Sequence, residues 1–165
     1  MTMFHSVKSP FVTAKRFFLG SDATEVTASA AELNQLDDIA ADVTIAYAAS
    51  ATTDGVEATF TVKDAAGVAI DATHNLECWI SDDADGSGLT ATSASGALTA
   101  ATGTILTALT AKKHVSANTD ANGVLTLLLV DSANTAGERF CVKNPVSGKI
   151  IVGDATVAGD YEGGA

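Results

Sequence analysis

The sequence predicts a mainly β protein: a β-sandwich preceded by an N-terminal arm and one short α-helix. Three observations carry that prediction. From residue 43 onward apolar residues alternate at a period of two, in about seven short runs divided by Gly, Asp and Asn turn signals. One run, Ser29 to Val43, has helical spacing instead. The first twenty residues differ in composition from everything after them. The expected organisation is an arm over 1–28, a helix over 29–43, a sandwich over 44–158 and a flexible tail over 159–165.

The arm is cationic and aromatic. Three of the 9 basic side chains (Lys8, Lys15, Arg16) and none of the 20 acidic ones lie in residues 1–20, so the remaining residues carry a net −14 against −11 for the chain. Phe4, Phe11, Phe17 and Phe18 are four of its 6 phenylalanines. A segment that apolar needs a surface to cover it. That surface is its own body, a sister subunit or a different protein; the arm's shortness, ahead of an independent helix signal, favours an intermolecular site. Phe4, Phe11, Phe17 and Phe18 are then the apolar anchors, and Lys8, Lys15 and Arg16 meet acidic groups on the partner. Pro10 breaks any helix, so extended docking is expected.

The helix begins at a capping box, Ser29-Ala30-Ala31-Glu32, in which the serine hydroxyl accepts from the third helical N–H and the glutamate reaches back. Leu33, Leu36, Ile39 or Ala40, and Val43 follow at three-to-four spacing and make one apolar stripe. A helix this short is marginal alone. The stripe packs on the body or around a symmetry axis, and Leu33, Leu36, Ile39 and Val43 are the expected trimer interface.

The strands follow in order. Val56, Ala58, Phe60 and Val62 alternate with Glu57, Thr59, Thr61 and Lys63, a half-buried strand. Asp64-Ala65-Ala66-Gly67 is a turn. Leu76, Cys78 and Ile80 alternate with Asn75, Glu77 and Trp79. Either Cys78 is in the core and Trp79 is partly exposed or at an interface, or the reverse holds. Asp82–Gly88 is a loop, and residues 89–104, rich in Thr, Ala, Ser and Gly, suit a surface excursion with weak strands. Thr104–Leu109 and Lys112–Ser116 are short strands, Asn118–Gly123 is a turn, and Val124–Val130 is the most apolar and most central strand. Glu138–Lys143 and Lys149–Val152 flank a hairpin at Asn144–Gly148.

Chemistry is sparse. The acidic balance argues against nucleic-acid and anionic-membrane partners. No apolar run approaches a membrane span, and Lys8, Lys15 and Arg16 interrupt any signal-peptide core, so synthesis in the cytoplasm without a cleaved signal is expected. Cys78 and Cys141 are either two reduced thiols or a single bridge. His5, His74 and His114 lie too far apart for a local zinc motif. His74 and Cys78 share a face by strand alternation, yet no polar group would orient a thiolate–imidazole pair. Asp83-Ala84-Asp85-Gly86 and Asn118–Gly123 resemble parts of a calcium loop. Ser81 and Asn118 stand where the leading Asp belongs, and Leu129 stands where the second loop needs glutamate, which excludes an EF-hand. The expectation is no enzyme activity, no metal and no cofactor.

Two resemblances add to this reading. Thr59–Gly67 (TFTVKDAAG), Thr119–Leu129 (TDANGVLTLLL) and Ala136–Val142 (AGERFCV) resemble, in that order, the strand-and-turn motifs of bacterial immunoglobulin-like (Ig-like) modules. Val26–Ile39 is similar to a short motif of tail-fibre and head-fibre proteins of tailed bacteriophages, usually TAxELNxLDG; Asp38 replaces its glycine here. Together they imply a virion structural protein: a capsid decoration (cement) or head-fibre protein on the capsid surface. It would be a homotrimer, attached through its arm to the major capsid protein or another virion protein, and displaying an Ig-like head. The alternative is a tail-fibre or receptor-binding adhesin module whose head contacts a host-surface ligand.

Overall fold

The computed structural model describes residues 17–19, 24–26 and 40–163. The chain divides into two compact units, 1–36 and 37–165. Among the described residues of the first, β1 (Phe17–Leu19) pairs antiparallel with β2 (Thr24–Val26), setting Phe17 opposite Val26 and Phe18 opposite Glu25. The sequence reading had no hairpin here. Its signal was nonetheless present: two β-prone triplets around Gly20-Ser21-Asp22, residue types that favour turns.

The second unit is mainly β, with two antiparallel sheets facing one apolar core, an arrangement consistent with a β-sandwich. Its strands are β3 (Asp42–Ala49), β4 (Gly55–Lys63), β5 (Asn75–Ser81), β6 (Leu98–Thr102), β7 (Thr104–Thr110), β8 (His114–Asn118), β9 (Val124–Val130), β10 (Arg139–Lys143) and β11 (Ile150–Val152). The four-stranded sheet runs β3-β4-β9-β6 and the five-stranded sheet β11-β10-β5-β8-β7. A 3-10 turn at Ala158–Asp160 is the described helical element, and no helix among the described residues is long and apolar enough to cross a membrane.

Alternation fixes which face each strand buries. In β4, Val56, Ala58, Phe60 and Val62 point inward, as expected, and Leu125, Leu127 and Leu129 of β9 join them. Leu76, Cys78 and Ile80 of β5, Val115 and Ala117 of β8, and Phe140 and Val142 of β10 supply the opposite side of the core. Phe60 and Phe140 meet edge-on, with ring centroids 6.5 Å apart. Tyr47 of β3 ties the two sheets at one side: its hydroxyl donates to Asp154 O (2.9 Å) and accepts from the Phe140 N–H (3.1 Å).

Two boundaries differ from those expected. The expected helix ran through Val43, but Asp42–Ala49 is a strand, in unbroken register with β4 from Asp42↔Lys63 to Ala49↔Val56. Val43 satisfies the helical stripe and also the two-residue alternation with Ile45 and Tyr47. Pairing along a full strand decides for the second. The expected flexible tail contains Tyr161, buried in the core, with its hydroxyl donating to Thr135 O (3.1 Å). The excursion at 89–104 contains a short strand, as expected: β6, joined to β7 at Gly103. Gly103 has φ +78°, and a Cβ there would run into the Asn118 carbonyl, so only glycine fits the corner without strain.

Candidate functional site

The residues read as functional fall in three places. Phe4, Lys8, Phe11, Lys15 and Arg16 lie outside the described residues, as do Leu33, Leu36 and Ile39. Phe17 and Phe18 lie in β1. Val43, expected at a trimer interface, is 1% exposed and lies in the core of its own unit. Its inward position follows from the β3–β4 register, which sets it beside Val62.

The outer face of the five-stranded sheet is the most featured surface. β5 presents Asn75, Glu77 and Trp79 there, and β8 presents His114 and Ser116 opposite Trp79 and Glu77. His114 Nε2 and Glu77 Oε1 lie 3.0 Å apart. Two open hollows share Glu77. One, about 470 Å³, is lined by Asn75, Lys143 and the Asn144–Gly148 hairpin. The other, about 250 Å³, is lined by Trp79, His114, Leu89 and Ile150.

Trp79 answers the open question of orientation in a way neither alternative described. Cys78 is in the core and Trp79 points outward, yet Trp79 is only 9% exposed. The Asp82–Gly88 loop folds back over it, and the indole N–H donates to Gly86 O (2.9 Å). Gly86 has φ +70°, and a Cβ on it would press on Cys141 Sγ, Val152 and Ile150. The loop therefore seals Trp79 and Cys141 together.

The same alternation keeps the cysteines apart. Cys141 pairs in register with Trp79, and Val142 with Cys78, so the two thiols lie on opposite faces of the sheet and both are free. Burial pushes the Cys141 thiol up to about 11 and raises Cys78 further. Both are protonated at neutral pH and are poor nucleophiles. His74 precedes β5 and does not reach Cys78's face as a strand partner; its backbone N–H donates to Thr119 Oγ1 (2.9 Å), and its Nε2 is buried without a partner.

The acidic loops spend their carboxylates on backbone N–H groups. Asp82 accepts from Ala91 N–H, Asp85 from Ser87 N–H, and Asp120 from Asn122 and Val124 N–H. Hydrogen bonding holds all three below the ordinary carboxylate range. Among the described residues no group of three His, Cys, Asp or Glu side chains converges as metal ligands would.

Two buried acids organise the start of the 89–104 excursion. Asp131 accepts from Ser95 and Ala133 N–H through Oδ1, and from Thr135 N–H and Oγ1 through Oδ2. Burial opposes its charge, but these bonds outweigh burial and lower its pKa. Glu138, 3% exposed, receives one hydroxyl, Thr90 Oγ1 at 2.9 Å; burial prevails and raises its pKa. Lys113 Nζ donates to Thr90 O and Ala91 O, and Lys112 Nζ to Ala94 O and Ser95 O. The excursion is thus fastened to the body along its first half.

The sequence reading missed what the second half does. From Gly86 to Ala111 the chain contains no charged residue. β6 and β7, both within that stretch, are edge strands of the two sheets. That run of uncharged residues was the available signal. Comparison of the whole chain with protein-family models, curated proteins and solved structures finds no match among any of them.

Proposed function

We propose that this chain is a non-catalytic structural protein of a tailed-bacteriophage virion, a capsid decoration or head-fibre protein. It attaches through its N-terminal segment to the major capsid protein or another virion protein and displays the two-sheet body. The observation that carries the reading is the division of labour along the chain. The body, beginning at residue 37, closes a core of its own from Ala40 to Tyr161. The cationic, Phe-rich segment and the fibre-like motif Val26–Ile39 both lie almost entirely before it.

The body's strand order supports the Ig-like reading. β3-β4-β9 facing β11-β10-β5 has the order of strands A-B-E facing G-F-C in an immunoglobulin sandwich. β6 takes the place of strand D beside β9. The departure is in the connection: β7 and β8 extend the second sheet after β6 instead of before it. The receptor-binding alternative would use the hollow at Trp79. There the indole is covered and its N–H already bonded to Gly86, which leaves little for a glycan to stack on. Trimerisation through Leu33, Leu36 and Ile39 belongs to the same proposal.

Deletion of residues 2–20 tests the anchor. The truncated chain is expected to keep its β circular dichroism and cooperative melting while losing co-sedimentation with purified virus particles. Retained attachment would overturn the anchor, and loss of folding would assign the segment to the body's own core.

A further inference from the structure

The charge-free wall formed by β6 and β7 contrasts with an otherwise strongly acidic chain. β7 is the outermost strand of its sheet, and its pairing with β8 slips twice, between Ile105 and Thr107 and between Ala108 and Thr110. The residues inserted at the two slips are Leu106 and Leu109, 56% and 52% exposed. Each slip leaves one residue unpaired and interrupts the ladder, which spoils the edge as a template for further pairing. What β7 offers is therefore two leucine side chains, not an open row of backbone groups. Threonines 104, 107 and 110 and Ala108 surround them, all exposed and all uncharged.

We propose that this wall is a two-fold contact between copies of the chain, with Leu106 of one copy against Leu109 of the other. Charge selects the occupant. A cationic partner would be drawn to the carboxylates elsewhere on the body and would gain nothing at a neutral wall. A second copy brings the same net −11 and is repelled wherever charges face each other. The uncharged stretch is where two copies approach at least electrostatic cost. The nearest cations in sequence, Lys112 and Lys113, are turned away from that approach by their bonds to carbonyls of residues 90–95. An isologous contact through β7 needs no second surface, because an antiparallel two-fold brings Leu106 and Leu109 together twice. Four half-exposed leucines make a small interface, so affinity in solution is weak, and close display on a particle raises the effective concentration. This contact does not depend on how the chain is anchored.

The test is sedimentation equilibrium of the full chain from about 10 μM to about 1 mM, a range suited to a small interface. The expected result is reversible association that doubles the mass of the smallest species. It should strengthen between about 0.05 and 0.5 M salt, because salt screens the repulsion between two acidic bodies. Leu106→Asp with Leu109→Asp should weaken the doubling by about tenfold or more, and Thr107→Lys should do the same with both leucines in place. Val146→Asp, at an equally exposed apolar side chain on the Asn144–Gly148 hairpin, should leave it unchanged. Absence of doubling in the wild type, or doubling indifferent to the wall variants, overturns the proposal. Association that weakens with salt also overturns it, and assigns the contact to the cationic segment of one copy on the acidic body of another. Particle attachment is a separate readout, so failure here leaves the anchoring proposal standing, and the converse.

Discussion

Two strands of this protein read alike and behave in opposite ways. VLTLLLV (Val124–Val130) and TILTALT (Thr104–Thr110) are both seven-residue, uncharged, leucine-rich runs. The first lies between β4 and β6 and buries Leu125, Leu127 and Leu129 completely. The second pairs on one side only and leaves Leu106 and Leu109 in solvent. Apolar content states that a strand needs cover. Position in the sheet decides whether the body supplies it. Where the body does not, the uncovered residues mark a contact surface.

The largest effects should come from breaking the covered strand. Leu127→Ala removes a side chain packed between both sheets and is expected to cost about 2–5 kcal/mol in denaturant unfolding. Leu106→Ala, the matching change in β7, should stay within about 0.5 kcal/mol in the same assay while weakening self-association. Equal costs at the two positions would break the comparison.

Next comes the corner that makes β7 an edge. Gly103→Ala forces a side chain into a left-handed backbone against the Asn118 carbonyl and should cost about 1–3 kcal/mol. A neutral result, read by thermal melting, would mean that β6 and β7 can part company without disturbing the body.

Smaller, and opposite in sign, are the effects of the two buried acids that fasten the excursion before it reaches the wall. Asp131 has a lowered pKa, so its contribution is present above the ordinary carboxylate value and is lost as pH falls through its folded value. Glu138 has a raised pKa, so the folded state holds its proton more tightly and stability falls as pH rises from the ordinary value of 4.5 through the raised one. Asp131→Asn should therefore lower the melting temperature at pH 7. Glu138→Gln, which keeps an oxygen acceptor for Thr90, should raise it at pH 7 and lose that advantage below pH 4.5. Effects of the same sign at neutral pH would contradict this assignment.

Much of the body was legible because its signals are local. The alternation in β4, the Asp-containing turns at Asp64–Gly67 and Asn118–Gly123, and the central β9 need only neighbouring residues to be read. What escaped depends on contacts distant in sequence. Val43 fits helix and strand equally until β4 is known to lie beside it. Trp79 is covered by a loop whose fold is set by Gly86 meeting Cys141. Tyr161, a lone aromatic in a glycine-rich end, gives no period to follow. Of the candidate site, alternation alone set Asn75, Glu77 and Trp79 on one face of β5, whereas His114 beside them and the loop over Trp79 depend on distant contacts. The neutral wall is a property of two strands from different sheets brought to one side by Gly103.

We propose that residues before the body anchor it to a virus capsid. Imaging particles assembled with and without this chain tests that claim most directly. The expected result is a protruding density on the capsid surface, the size of the two-sheet body, that vanishes when the chain is omitted and when residues 2–20 are deleted. Particles identical with and without the chain, or a difference confined to the tail, would contradict it.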